Sequence, residues 1–229
     1  MNKKMDAIEN KNKLRVDFHC HSLYSRDSLT KPETLVKICL QKRLDRIVIT
    51  DHNTIQGALE AYRLDPTHVI VGEEIMTASG EILAAYVKEY VPAGLSPQKT
   101  IQILRDQDAF ISISHPFDHM RKGSWNKGDL LAILPMVDAI EGFNARSMVP
   151  DANQKAMLFA NEHGLAMTAG SDAHAAFEMG MATICLEPFE NVDELKKNIG
   201  KGTMSAKQSP WWVHILSLYA KYHKTHSKG

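Results

Sequence analysis

The chain of 229 residues carries 27 basic and 27 acidic side chains, so its formal net charge is zero. This length suits one domain with a sizeable core, and the balanced charge excludes a global field that could hold a nucleic-acid backbone. Three cysteines without Cys-x-x-Cys spacing, and no apolar segment of signal-peptide or membrane-span quality, predict a reduced, cytoplasmic protein. We expect the polar, lysine-rich residues 1–13 to form a disordered arm outside the fold.

Short apolar, β-branched runs alternate with segments of helical period along the chain. Predicted strands cover residues 15–20, 46–51, 69–76, 110–115, 137–144, 166–172 and 182–186. Residues 82–87 are predicted to pair antiparallel with the strand before them. Predicted helices cover residues 31–43, 96–107, 151–163 and 191–199. Otherwise the pattern repeats βα units, which indicates an α/β fold with a parallel sheet, either open or closed into a barrel.

The C-terminal residues 205–229 form an aromatic and basic helix or tail in our interpretation, centred on the apolar segment 211–222. Three roles stay open for it: a helix that docks onto the domain, a dimer contact, or a segment that binds a membrane surface. The sequence does not indicate an oligomeric state.

Six predicted strands end in ionisable or polar side chains, and in parallel α/β folds the functional site lies at these carboxyl ends. Because residues two apart in an extended segment face the same side, His19 and His21 can hold one ion together, and so can Asp172 and His174. A single strand-end histidine is as well explained as an ordinary surface residue, but five of the 11 histidines lie there with several carboxylates. The pattern therefore predicts a metal cluster. Five other histidines lie in predicted loops or helices, and we interpret them as ordinary surface residues: His68, His163, His214, His223 and His226. The role of His119 stays open.

These motifs resemble the polymerase and histidinol phosphatase (PHP) family, whose Asp-x-His-x-His-Ser opening is matched by residues 17–22. Four further family motifs follow in the family's order: Thr-Asp-His-Asn (50–53), Gly-x-Glu (72–74), His-Pro (115–116) and Gly-Ser-Asp-Ala-His (170–174). The resemblance implies a distorted (β/α)7 barrel of one domain over residues 14–204, and a metal-dependent phosphoesterase.

Carried over by matching positions, the family's pattern implies two or three divalent ions, with zinc, manganese and iron equally suited to nitrogen and oxygen ligands. The first ion would take His19, His21, Glu74 and Asp172. Glu74 would bridge to a second ion, which also takes His115, and a third would take Asp27, His52 and His174. Asp17 and Asp51 are expected to orient the ligand imidazoles, or alternatively to cap turns.

Two positions depart from the family pattern. Asn144 stands where many relatives have a histidine ligand for the second ion, with Glu141 three residues earlier, so we treat Asn144 as a doubtful ligand. Gly80-Glu81 replaces a familiar Gly-His, which puts in doubt any substrate contact drawn from that position.

The predicted reaction is attack on phosphorus by a metal-activated water, so no protein nucleophile is needed. Cys20 alternates away from the neighbouring histidines and is predicted to be a buried packing thiol. Substrate contacts are expected first from Arg146, then from Arg121 and Lys122, and from Asn53, although each arginine and lysine could be a solvated loop charge. The leading hypothesis is a phosphatase of small molecules such as nucleotides. The alternatives are a nuclease acting on nucleic-acid ends and a metal-binding protein without turnover.

Overall fold

The computed structural model describes residues 13–226, so nearly all of the expected arm over residues 1–13 lies outside the described range. Within that range the strands are β1 Leu14–Cys20, β2 Arg46–Ile49, β3 Val69–Met76, β4 Glu81–Ala85, β5 Phe110–Ile113, β6 Ala139–Asn144, β7 Ala166–Gly170, β8 Ala182–Leu186 and β9 Thr203–Ala206. The helices there are α1 Pro32–Gln41, α2 Gln56–Leu64, α3 Pro97–Asp106, α4 Lys127–Ile133, α5 Ala152–Glu162, α6 Val192–Asn198 and α7 Val213–His226.

The strands form one sheet in the order β7-β6-β5-β4-β3-β2-β1-β8-β9. Just beyond β7 the chain returns to the end of β1: the Asp172 amide donates to the His19 carbonyl (2.7 Å), and the His21 amide donates to the Ala173 carbonyl (2.9 Å). These bonds make the sheet a nearly closed barrel of a single domain, so the predicted α/β barrel fold is confirmed.

The predicted βα repeat is wrong for β8, which pairs antiparallel with β1. The link over residues 171–181 holds only the short 3-10 turn Ala176–Glu178, and a parallel crossover needs a dozen or more residues. Strand β9 was not predicted either. It is a short edge strand whose side chains are mostly exposed, so it carries no apolar alternation.

The predicted helix α3 has a start signal in the sequence, whereas the unpredicted helix α2 has none. Helix α3 begins at Pro97 behind Ser96, whose hydroxyl accepts a hydrogen bond from the Lys99 amide (3.3 Å). Helix α2 was missed because the residue before it is Ile55, which provides no capping hydrogen bond.

Buried apolar side chains on both sides of the sheet hold the barrel together. Phe18 and Phe110 pack with their ring centroids 6.2 Å apart. Cys20 is fully buried beside Leu35 and Cys39, and burial raises the pKa of its thiol well above the usual value. A thiol held in this protonated form packs as a small apolar group and is a poor nucleophile.

Glu73 is a fully buried carboxyl group on the face of β3 that lies away from Glu74. Its one hydrogen bond in the described chain comes from the Val91 amide (3.1 Å), and burial raises its pKa from 4.5 to about 8. The folded state therefore favours the protonated form, so the free energy of unfolding should fall as pH rises from about 4.5 to about 8. This decline in the free energy of unfolding should be on the order of 2–4 kcal/mol, and Glu73→Gln should remove it.

Urea unfolding of the metal-free wild type and variant at pH 5 and pH 8.5 measures this difference. Since both proteins share every other titrating group, the variant-minus-wild-type curve isolates Glu73. Parallel pH profiles for the two proteins would contradict the assignment.

Candidate metal centre

The carboxyl ends of the barrel strands bring histidines and carboxylates into one buried cluster. Strand β1 contributes one histidine, β3 and β4 contribute one glutamate each, and the segments after β1, β2, β5 and β7 contribute the rest. The members are His19, His21, Asp27, His52, Glu74, Glu81, His115, Asp172 and His174.

The four expected ligands of the first ion converge on one point. The Nε2 atoms of His19 and His21 lie 3.0 Å apart, and Asp172 Oδ1 lies 3.5 Å and 3.1 Å from them. Glu74 Oε2 lies 3.4 Å and 3.5 Å from the same two nitrogens. All four side chains are fully buried. This group has the composition and spacing of a site for a divalent ion.

The region expected for the second ion differs from the sequence-based assignment. Glu74 Oε1 lies 3.0 Å from His115 Nε2, and Glu81 Oε2 lies 3.3 Å from the same nitrogen. Glu81 also approaches His52 Nδ1, at 4.0 Å. Glu81 stands where the family has a histidine, and the sequence analysis considered this position only for a substrate contact. In the structure Glu81 brings a carboxylate to the cluster.

Asn144, by contrast, turns its oxygen away from the cluster. Its amide nitrogen donates to Glu141 Oε2 (3.1 Å) and Asp172 Oδ2 (3.2 Å), while its oxygen accepts from the Arg146 amide (2.9 Å). An amide nitrogen is not a metal ligand. In this arrangement Asn144 holds carboxylates in place, and Glu81 is a second carboxylate near His115 besides Glu74.

The expected third group is assembled by the loop after β1. Asp27 Oδ1 lies 3.4 Å from His52 Nε2 and 3.2 Å from His174 Nε2. His52 connects this group to the others, because its Nδ1 atom lies 2.9 Å from Glu74 Oε2.

Hydrogen bonds to Nδ1 fix three imidazoles in the tautomer that a metal requires. His19 Nδ1 donates to Glu141 Oε1 (2.9 Å), and His174 Nδ1 donates to the Asp172 carbonyl (2.8 Å). His21 Nδ1 bonds the Ser25 hydroxyl (3.0 Å). Since carboxylate and carbonyl oxygens only accept, Nδ1 of His19 and of His174 carries a hydrogen, and in the neutral ring Nε2 then has a lone pair that faces the cluster.

Asp17 and Asp51 support the cluster less directly than expected. Asp17 accepts hydrogen bonds from the backbone amides of Ser171 (2.9 Å) and Gly180 (2.8 Å) and makes no contact with an imidazole. Asp51 acts through Ser25, whose hydroxyl donates to Asp51 Oδ1 (2.7 Å). The residue that orients His19 is Glu141, which the sequence analysis did not assign to this role.

In the metal-free cluster, several histidine pKa values differ strongly from their usual values. Burial opposes ionisation of His19, but the carboxylates of Glu74 and Asp172 outweigh it and raise the pKa of His19 well above the usual value. Burial and the charge of Arg121 oppose ionisation of His115, but Glu74 and Glu81 outweigh them and raise its pKa to about 9. Burial and the neighbouring histidines lower the pKa of His21. Protons on the histidines thus compensate the carboxylates, and metal binding has to displace them.

Among residues 13–226, three carboxylate oxygens of the cluster are buried without a hydrogen-bond partner: Asp27 Oδ1, Glu74 Oε2 and Asp172 Oδ1. Buried polar atoms are nearly always hydrogen-bonded, and unpaired ones call for an explanation. Each of these oxygens faces imidazole nitrogens, so the donor set fits divalent metal ions.

Backbone constraints hold the ligand segments in place. Asp172 and Asn53 have positive φ angles of 51° and 53°, a conformation that is costly for most residues. The Asn53 amide donates to the Glu74 carbonyl and its side-chain oxygen accepts from the Met76 amide, both at 2.8 Å. Asn53 therefore joins the ends of β2 and β3, and it does not line the cavity where we expected it to contact substrate.

A cavity of about 440 Å³ opens above the cluster. Arg121 lines it and lies 2.6 Å from Asp172 Oδ2, and Lys122 lines it beside Arg121. Arg146 also lines the cavity, but its guanidinium is buried, with Nε 3.2 Å from Glu178 Oε2 and a terminal nitrogen donating to the Ser217 hydroxyl (2.9 Å). Arg146 therefore holds helix α7 against the barrel, and its contact with substrate stays a prediction.

Helix α7 forms one wall of this cavity through His214, Ser217, Leu218 and Lys221. The interpretation of His214 as an ordinary surface histidine is therefore wrong. Burial, together with the charge of Arg146, lowers its pKa to about 4, so it is neutral at pH 7. The three- and four-residue spacing of these side chains along a helix is the signal that could have revealed this face. None of the helices within residues 13–226 has the length and apolar character needed to cross a membrane.

The chain is similar to several known proteins in sequence or in fold. An uncharacterised protein of Methanocaldococcus jannaschii is 36% identical, with 91% of this chain and 92% of that protein covered. A two-domain protein from Bacteroides vulgatus, named as containing a predicted PHP-like metal-dependent phosphoesterase, superposes with a TM-score of 0.70 at 18% identity, covering 87% of this chain and 66% of that one. The lesion-specific endonuclease PfuEndoQ from Pyrococcus furiosus has a TM-score of 0.58 at 14% identity, covering 84% of this chain and 57% of that one.

The sequence profile of the PHP domain matches residues 17–174, and the profile described as PHP-associated matches residues 150–204. The first match includes every histidine and carboxylate of the cluster, and all four fully buried residues of the first group lie within it. The chain belongs to the PHP domain family.

Proposed function

We propose that the chain is a metal-dependent phosphatase that hydrolyses small phosphate esters. One observation carries the proposal: three buried carboxylate oxygens of the cluster face histidine nitrogens without a hydrogen bond within the described chain, and the cluster reaches the cavity through Asp27, His52, Glu81 and His174. Buried carboxylates that converge in this way are costly in a folded protein unless protons or cations compensate their charge.

Three groups of ligands would hold the ions. His19, His21, Glu74 and Asp172 form the first group, and His115, Glu74 and Glu81 form the second. Asp27, His52 and His174 form the third. Glu74 belongs to two groups because its two oxygens face different histidines. When bound, zinc, manganese or iron ions would supply Lewis acidity that activates water and neutralises phosphoryl oxygens.

The protein's own side chains position this chemistry. Glu141, Ser25 and the Asp172 carbonyl hold three imidazoles so that Nε2 faces the cluster. Arg121 brings a permanent positive charge to the cavity wall, where its planar group suits a phosphate oxygen pair. The neighbouring Asp118 and Asp172 carboxylates keep this guanidinium at the cavity.

The size of the cavity supports a small substrate. A volume of about 440 Å³ falls within the range of roughly 300–1,000 Å³ that is usual for small-molecule sites. A nucleotide or a similar phosphate ester matches that volume, and its phosphate would meet the cluster at the cavity floor.

Purified protein is expected to carry two or three transition-metal ions per chain and to release phosphate from small esters. Elemental analysis gives the ion count, and assays on nucleotide monophosphates, histidinol phosphate and single-stranded DNA compare substrates at equal metal supply. Fewer than one bound ion, even after adding back zinc, manganese or iron, would contradict the proposal.

A nuclease is the second candidate, supported by the fold shared with an endonuclease. Cleavage of single-stranded DNA faster than any small ester in the same assay would favour it. Tight metal binding without turnover on any of these substrates would favour a metal-binding protein that is not an enzyme.

A further inference from the structure

Helix α7 lies across the cavity but outside both family profiles, which end at residues 174 and 204. Its inner face presents His214, Ser217, Leu218 and Lys221 to the cavity. The two profiles therefore include the ligand cluster but not this wall. A wall of this kind is where substrate selection would be expected.

Both ends of α7 are fixed by buried contacts. Near its start, the buried Arg146 guanidinium donates to the Val213 carbonyl (3.2 Å) and the Ser217 hydroxyl (2.9 Å). Near its end, the Lys224 ammonium donates to the carbonyls of Leu23 and Ser25, in the loop that carries Asp27. The helix is therefore positioned relative to the metal ligands, and its inner side chains have a defined place over the cavity.

Lys221 is the α7 residue that reaches the ligand cluster. Its ammonium lies 3.3 Å from Asp27 Oδ2, and the other Asp27 oxygen faces His52 and His174. Its side chain is 41% exposed and lines the cavity. An ammonium group has three N–H donors, so one contact with Asp27 leaves two for an anion in the cavity.

Other basic side chains extend the same surface. Arg26, next to Asp27 in the sequence, and Lys122 also line the cavity. A floor that binds cations is therefore bordered by a basic rim, an arrangement that attracts an anionic ester and orients its phosphate toward the floor.

We propose that α7 is the substrate-recognition wall of this enzyme, and that Lys221 donates hydrogen bonds to a phosphate oxygen of the substrate above Asp27, His52 and His174. This inference rests on the proposed function. Lys221 is a binding residue here, and it takes no part in activating water.

Calorimetric titration of the metal-loaded full chain with inorganic phosphate tests the proposal directly. Lys221→Met should weaken phosphate binding about tenfold or more, because a charge-assisted hydrogen bond is lost. Lys221→Arg, which keeps the charge, should recover most of the affinity. Ile215→Gln is the matched control, since Ile215 lies on the exposed side of α7 and should leave binding unchanged. In turnover assays, Lys221→Met should raise KM more than it lowers kcat.

Ion counts and melting temperatures of all variants separate binding from structure. Phosphate affinity of Lys221→Met equal to that of the wild type would overturn the inference, and so would loss of a metal ion in that variant. A wild-type protein that carries its ions but binds no phosphate would instead overturn the proposed function.

Discussion

Glu74→Gln is expected to lower kcat/KM by about a hundredfold or more while the fold survives. The reason is the double role proposed for this carboxylate. One oxygen accepts hydrogen bonds from the Ser114 hydroxyl (2.8 Å) and lies 3.0 Å from His115 Nε2, and the other faces His19, His21 and His52. Glutamine keeps the shape but removes the negative charge that both ligand groups share. Phosphatase rates at saturating metal, with melting temperatures, measure both effects.

Glu73→Gln is the matched control for this change, because it alters the neighbouring residue of the same strand in the same way. Its side chain faces Val91 on the other side of β3, so turnover should change little. If Glu73→Gln abolished activity and Glu74→Gln did not, the assignment of the two faces of β3 would be reversed.

Glu81→Gln should cost the protein its second ion and lower activity by about tenfold or more at limiting metal. In the structure Glu81 is the carboxylate, besides Glu74, that lies near His115. Losing its charge leaves His115 and Glu74 as the remaining ligands, so affinity falls and added metal should partly restore activity. Ion counts after dialysis and metal titrations of activity provide the measurement.

Asn144→Ala distinguishes the two possible second-site ligands. Because the Asn144 oxygen faces the Arg146 amide, this variant should keep its full ion count. The opposite result would be loss of an ion in Asn144→Ala and a full ion count in Glu81→Gln. That result would support Asn144, and not Glu81, as the ligand of the second ion.

Local periodicity made much of this site predictable. His19 lies in β1 and His21 directly follows this strand, and the alternation of extended backbone places both side chains on the same side. The same rule predicts opposite sides for the adjacent residues Glu73 and Glu74, and the structure places these two carboxyl groups on opposite sides of β3. Since the ends of neighbouring barrel strands meet, the motifs on different strands also converge in space.

The role of Glu141 could not be predicted from alternation, because β6 is irregular there. The pairing of β6 with β7 shifts between Glu141 and Phe143. Residues three apart in a regular strand face opposite sides, yet Glu141 and Asn144 lie within hydrogen-bond distance of each other. A bulge of this kind changes the direction in which a side chain points. Its position cannot be predicted from a single sequence.

The other errors come from tertiary contacts. Arg146 looked free in the sequence because its partners, Glu178 and the first turns of α7, lie far away along the chain. His214 was read as exposed because nothing local indicates that α7 lies across the cavity. Such placements depend on how distant segments pack, and periodicity carries no information about them.

The seam of the barrel is made by the ligand segments themselves. The hydrogen bonds that bring β1 and the end of β7 together involve His19, His21 and Asp172, whose side chains form the first ligand group. Any ion bound there also ties the first strand to a segment about 150 residues later in the chain. The free energy of unfolding would then rise with the concentration of free metal, because the ion binds only the folded protein. Metal depletion would therefore lower the amount of folded protein as well as its activity.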